Sequence, residues 1–184
     1  MPLVLSKTYL SLHGSAVAFN DQAIAFVGSS GNGKSTLSNK LREIGQFISD
    51  DFLLIEKISN KHCLHSTYPG LRLLSEEDSR DKIVIKVPRN SYSSSPSPLQ
   101  AIYVLTRDRN IPKNEYLISD LHQDMNLDLL LSEVLMLDPD LPGAQLEMIE
   151  DLTQLSQSIP IKKLSFSDLT TMTDTELAKA LQST

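Results

Sequence analysis

The stretch AFVGSSGNGKSTLSNKLREIGQFISDD, residues 25–51, decides the fold. An apolar run, AIAFV at 23–27, reads as a buried strand. GSSGNGKS follows and matches G-x-x-x-x-G-K-[ST] at Gly28, Gly33, Lys34 and Ser35. Leu37, Leu41 and Ile44 then recur at helical spacing, with Gly45 where a helix C-cap belongs. QFIS reads as a second strand, and it ends on two adjacent carboxylates, Asp50 and Asp51.

Each position of the loop has a chemical reason. Glycines let the backbone wrap an anion with successive N–H groups turned inward. The following helix presents its free N–H groups and positive dipole end to the same phosphates. Gly28, Ser29, Ser30, Gly31, Asn32, Gly33, Lys34, Ser35 and Thr36 are therefore the expected nucleotide-phosphate contacts. Lys34 would reach the β- and γ-phosphates, and the Ser35 hydroxyl would coordinate Mg²⁺. A chance match to a short pattern is the alternative. The strand before the loop and the amphipathic helix after it argue against chance.

If AIAFV and QFIS are parallel neighbours joined by the loop and helix, both strands end on one edge of the sheet. Asp50 and Asp51 then emerge beside the loop, on the edge where such sheets gather ligands. Adjacent residues in an extended chain point opposite ways, so the two acids are expected to do different jobs. One would serve the metal, and the other would accept a proton from an incoming hydroxyl. The bland alternative is a polar strand end.

The remaining chain reads as one domain over 1–184, a length sufficient for a real core. A composition of 40% hydrophobic and 22% charged residues is that of a globular protein. The net charge of −6 and pI near 5.2 argue against nucleic acid as a partner, which needs clustered Lys and Arg. Cys63 has no partner for a disulfide or for zinc, which fits a reducing cytosol. No apolar run approaches the roughly 20 residues of a spanning helix, and no basic leader precedes the first apolar residues. A soluble cytoplasmic protein without a membrane partner is expected.

Strands are expected at TYLSLHG, SAVAF, FLLIEKI, HCLHSTY, LRLL, KIVIKV, AIYVLT and IPIKKLSF, with turns at 20–22 and at 60–61. PRNSYSSSPSP and RDRNIPKNE read as loops. From about Ser119, SDLHQDMNLDLLLSEVLML and GAQLEMIEDLTQLSQS read as two helices. Thr173 to Glu176 reads as a capping box opening a terminal helix.

Taken together, VGSSGNGKSTLSNKLREIGQFISDD resembles the loop-to-Asp-Asp core of the HPr serine kinase/phosphorylase catalytic domain, in its small single-domain form. His13-Gly14, YPGLRLL at 68–74 and AIYVL at 101–105 agree, so the resemblance covers about residues 8–107. It implies an α/β, P-loop-containing fold like the nucleotide core of phosphoenolpyruvate carboxykinase. The sheet would be mixed and largely antiparallel, flanked by helices, with a helical C-terminal part over about 119–184. It also implies an ATP- and Mg²⁺-dependent kinase acting on a serine hydroxyl of a peptide or protein. Asp50 would accept the proton, Asp51 would assist Mg²⁺, and His13 would stand near the catalytic acid. The family's separate N-terminal domain and its E-I-R-G-L-G signature are not found in the sequence. Arg72 of YPGLRLL lies in a similar region without a matching acid. An acceptor other than the HPr protein, such as the serine of a small precursor peptide, is equally expected.

Other residues divide between site and surface. His13 is a site residue or a structural histidine, and Arg72 a substrate or phosphate contact or a surface arginine. Lys82, Arg89, Arg107 and Arg109 flank loops and could complete a charge clamp, or be solvated. His62 and His65 lie three apart on a strand and make a poor metal pair. The leucines of LDLLLSEVL are core or the face of a homo-oligomer. Two competing functions stand beside the kinase. One is a P-loop NTPase switch or motor, which would want an acid at the end of another apolar strand, where AIYVLT has Thr106 and VLML before Asp138 reads as helix. The other is a nucleotide-binding scaffold without catalysis.

Overall fold

The computed structural model describes residues 9–67, 70–74, 82–86, 88, 93, 95–135, 143–170 and 173–183; side chains at 70–74, 82–85 and 123–124 are outside that description. Two tight hairpins organise the first third. Strands β2 (Ser15–Phe19) and β3 (Gln22–Val27) follow β1 (Tyr9–Leu12). Asn20 and Asp21 join β2 to β3 with φ of 49° and 63°, the positive values that a hairpin's two central residues adopt. After the loop come α1 (Lys34–Leu41) and β4 (Gln46–Ser49). The second hairpin is β5 (Leu53–Ile58) and β6 (Lys61–His65), turned by Ser59 and Asn60 at φ of 49° and 64°.

Next come β7 (Gly70–Leu74) and β8 (Lys82–Lys86), which form a separate antiparallel pair. The 11-residue β9 (Ser97–Arg107) is the longest strand among the described residues, followed by β10 (Tyr116–Asp120), α2 (Gln123–Ser132), α3 (Ala144–Ser158), β11 (Ile161–Phe166) and α4 (Asp174–Gln182). Nine strands make one sheet in the order β1-β5-β6-β9-β3-β2-β4, with β11 beside β9 and β10 beside β11. β9 runs parallel to β3 and to β11, and the other pairings are antiparallel. The mixed, largely antiparallel sheet flanked by helices is thus the observed architecture.

Strand alternation divides the core into two faces. Ala23, Ala25 and Val27 of β3 join the cluster that holds Leu130 of α2 and Leu152 and Leu155 of α3. Ile24 and Phe26 point the other way, to Leu37 and Leu41 of α1 and Leu177, Ala178 and Leu181 of α4. Tyr103 of β9 is fully buried, and its hydroxyl donates to the Leu181 carbonyl at 3.0 Å, so this polar atom is satisfied.

Several expectations are corrected. β3 and β4 are not neighbours, because β2 occupies the place between them and pairs antiparallel with both. The hairpin returns the chain to β3's edge before the loop begins, so α1 must cross β2. Since each is antiparallel to β2, β3 and β4 still point the same way. Helix α1 ends at Leu41, leaving Ile44 exposed. Gly45 is not a left-handed cap; a Cβ there would lie 2.7 Å from the Phe19 ring and 2.8 Å from the Ala18 carbonyl.

The C-terminal half is less helical than its periodicity suggests. YLISD forms β10, which claims Ser119 and Asp120 from the expected helix by pairing with Lys163 and Lys162 of β11. Helix α2 stops at Ser132, and Val134 of VLML makes a bridge with Leu12 instead of continuing the helix; Asp138 lies outside the described residues. The Thr173 hydroxyl bonds to the Glu176 carboxylate rather than capping a backbone N–H of α4. No helix among the described residues is long and apolar enough to cross a membrane.

Candidate active site

The loop between β3 and α1 is held by its side chains and by β9. Gly28 (φ 126°) lies so close to β9 that a Cβ would stand 2.9 Å from the Leu105 carbonyl. Gly31 and Gly33 also take positive φ, 85° and 91°, which suits glycine. The Asn32 amide donates to the same Leu105 carbonyl at 2.9 Å, and its backbone N–H closes a turn onto Ser29 at 3.2 Å. Lys34 is buried, and its ammonium donates to the carbonyls of Gly28 (2.5 Å) and Ser29 (3.4 Å), so it reaches back across the loop. Ser29, Ser30, Gly31 and Thr36 are exposed along the rim. The Ser38 hydroxyl ties α1 to β2 through Ser15 at 2.7 Å.

The two aspartates come to this loop as the strand directions require. The Ser35 hydroxyl donates to Asp50 Oδ1 at 2.8 Å, joining the start of α1 to the end of β4. Asp50 is buried and Asp51 half-buried. They occupy a bend, not an extended strand end, and Asp51 has φ of 65°. Aspartate tolerates this left-handed conformation better than most residues, yet it remains uncommon and concentrates at functional sites. His13 Nδ1 lies 3.1 Å from the Asp51 carbonyl, a bond to backbone that bears on the turn itself. Gly14 is needed for packing: a Cβ would meet Leu53 Cδ1 at 2.6 Å and the Phe26 carbonyl at 2.7 Å.

Sequence reasoning missed the residues that fix this turn. The Ser49 hydroxyl donates to the Phe52 carbonyl and pairs with Thr67 Oγ1, each at 2.5 Å. Ser66 reaches the Ile48 carbonyl at 2.9 Å. The Asn32 side chain, expected only as part of the phosphate contact, also anchors the loop to β9. No local pattern marks a hydroxyl that bonds to backbone across a sheet, so these roles need the fold.

Arg72 faces Val84 across the β7–β8 pair, and its side chain lies outside the described residues. The same holds for Lys82, while Arg89 is outside altogether. Arg107 ends β9 and Arg109 lies two residues past it, on the opposite side of the loop from β4 in strand order. His62 and His65 have separate structural partners: Ser158 Oγ at 3.0 Å and Glu56 Oε2 at 2.6 Å. Burial, with Lys57 adding to it, pushes the His62 imidazole below its ordinary pKa against the opposing pull of Asp151.

The residues present fit a nucleotide phosphate and a hard divalent cation. The glycine loop gives close backbone approach, Lys34 gives a charge, and the Ser35 hydroxyl with a neighbouring carboxylate, Asp50 or Asp51, could supply oxygen ligands. A Mg²⁺ ion bound with phosphates needs only one or two protein oxygens.

No protein-family model and no curated protein sequence matches this chain. A solved structure does: the HPr(Ser) kinase/phosphatase from Coxiella burnetii, at TM-score 0.55 and 11% identity, over 94% of each chain. The fold resembles that of an HPr(Ser) kinase/phosphatase. Correspondence over nearly the whole of both chains means that the helical C-terminal half takes part in the likeness as well as the loop region.

Proposed function

We propose that this protein is an ATP- and Mg²⁺-dependent kinase that transfers the γ-phosphoryl group to a serine hydroxyl of a peptide or protein. The observation that carries the reading is the Ser35–Asp50 contact at 2.8 Å, which brings a carboxylate to the helix end of a glycine loop. The fold likeness supports the same reaction class.

In this reading the N–H groups of 28–36 bind the phosphates, and Lys34 exchanges its loop carbonyls for phosphate oxygens. Ser35 and a carboxylate would hold Mg²⁺, which would supply positive charge to the transferring group. Asp50 accepts the proton of the incoming hydroxyl while that oxygen bonds to the γ-phosphorus and the bond to the β-phosphate oxygen breaks. His13 holds the Asp51 backbone and so positions the second acid.

The same contact favours a second assignment of the two acids. A carboxylate bonded to the metal-binding hydroxyl is itself well placed for the metal, which would leave Asp51 as the base. Transfer of ³²P from γ-labelled ATP to extract proteins tests the function. A phosphoserine product made by the wild type and not by Lys34→Ala supports a kinase. Hydrolysis alone, with no labelled acceptor, would favour the NTPase reading instead.

A further inference from the structure

A cleft of about 700 Å³ opens at the carboxyl ends of β9 and β11, lined by Arg107, Arg109, Lys113, Ser167, Asp168 and Thr170. It adjoins the glycine loop from both strands. Asn32 is bonded to Leu105, two residues before Arg107, and a Cβ on Gly33 would stand 2.8 Å from Leu169 Cδ1, beside Asp168. In strand order the sequence is β4, β2, β3, β9, β11, so the cleft and Asp50 lie on opposite sides of the loop. With about 4.8 Å between strands, β11 stands about 10 Å from β3, as β4 does on the other side.

From this arrangement we propose that the cleft receives the nucleoside end of the nucleotide, with the γ-phosphate pointing to Asp50. The proposal rests on the phosphate-loop reading and adds a subsite to it. The cleft has the size of a small-molecule pocket. Guanidinium planes of Arg107 and Arg109 offer stacking faces for a base. Asp168 offers a carboxylate to ribose hydroxyls, the acceptor that such hydroxyls require. That carboxylate is fixed by the Thr170 hydroxyl at 2.7 Å and the Thr170 N–H at 2.9 Å. These bonds, then Lys113 and Arg107, hold it below the usual carboxylate range, so it stays an acceptor at neutral pH. The Ser167 hydroxyl oxygen is buried with no hydrogen-bond partner among the described residues, a deficit that a polar ligand could relieve.

Isothermal titration of the full chain with Mg-ATP and with Mg-tripolyphosphate tests the assignment, because the second probe lacks the nucleoside. The double variant Arg107→Ala/Arg109→Ala, and separately Asp168→Asn, should weaken Mg-ATP by about tenfold. Both should leave tripolyphosphate within about twofold. The side chains line an exposed cleft, and Asp168→Asn preserves shape, so folding is maintained. Equal losses for both probes would make the cleft a general anion site, and no loss for either would leave it outside the nucleotide site; each result overturns the proposal. So does a wild type that binds tripolyphosphate as tightly as ATP, though the loop reading would then survive. A wild type that binds neither probe removes the loop reading and this proposal with it.

Discussion

Ser35 Oγ and Asp50 Oδ1 stand 2.8 Å apart although the rest of α1 and all of β4 lie between them in sequence, and β2 separates β4 from β3, the strand that leads into the loop. Ser35→Ala removes the hydroxyl while leaving α1 intact. The expected outcome is a Mg²⁺ affinity in the ATP complex lowered by at least about tenfold, with the apo fold destabilised by only about 1 kcal/mol. Mg²⁺ titration of ATP binding reads the first, and urea unfolding the second. Unchanged Mg²⁺ dependence would remove Ser35 from the metal site.

Asp51 holds a left-handed backbone at φ of 65° that glycine adopts without cost. Asp51→Gly should leave stability unchanged or raise it by up to about 1 kcal/mol, since relief of strain is set against a more flexible unfolded chain. Phosphoryl transfer should fall sharply in the same variant. Denaturant unfolding beside a transfer assay checks both. A marked loss of stability would mean that the side chain, not the chemistry, accounts for an acid in this turn.

Gly14 lies against fixed backbone, the Phe26 carbonyl, as well as Leu53. Gly14→Ala should lower the unfolding free energy by about 1–3 kcal/mol, because the carbonyl cannot yield as a side-chain tip can. A fall in thermal midpoint measures this packing cost; Gly31→Ala, where a methyl meets no atom within 4 Å and only the left-handed backbone opposes it, measures the conformational cost by itself.

The loop is local chemistry with a fixed spacing, and Asn20-Asp21 carries its turn in two residues. Both hairpins and the direction of β4 therefore followed from the sequence. What β2 does to the order of strands was not legible, since pairing choice is decided by long-range packing. β10 falls between the loop expected up to Glu115 and the helix expected from about Ser119, because YLISD is half-exposed on an outer strand and lacks the continuous apolar run of β9. The apolar residues of VLML fit helical spacing equally well, until Leu12 offers Val134 a strand partner. The bend that puts Asp51 at positive φ rests on Ser49, Thr67 and His13, which meet only in the folded chain.

Buried His62 is a stability sensor away from the site. Its folded pKa is lowered, first by burial, below the ordinary value of 6.5. The unfolded chain therefore binds more protons, and stability rises with pH. This contribution is complete above pH 6.5 and is lost as pH falls below it. Asp151, raised above 3.8 mainly by burial, acts in the opposite sense, favouring the fold as pH falls through its own lower range. His62→Gln should flatten the pH dependence of urea unfolding between about pH 7 and 5. An unchanged slope would assign it to other groups.

The most direct test of the central claim is Asp50→Asn, assayed in parallel for Mg-ATP binding and for transfer from γ-labelled ATP to serine. The account predicts transfer lowered by at least about a hundredfold with Mg-ATP affinity largely retained. Transfer at the wild-type rate would contradict it, and loss of Mg-ATP affinity together with transfer would move Asp50 from the proton to the metal.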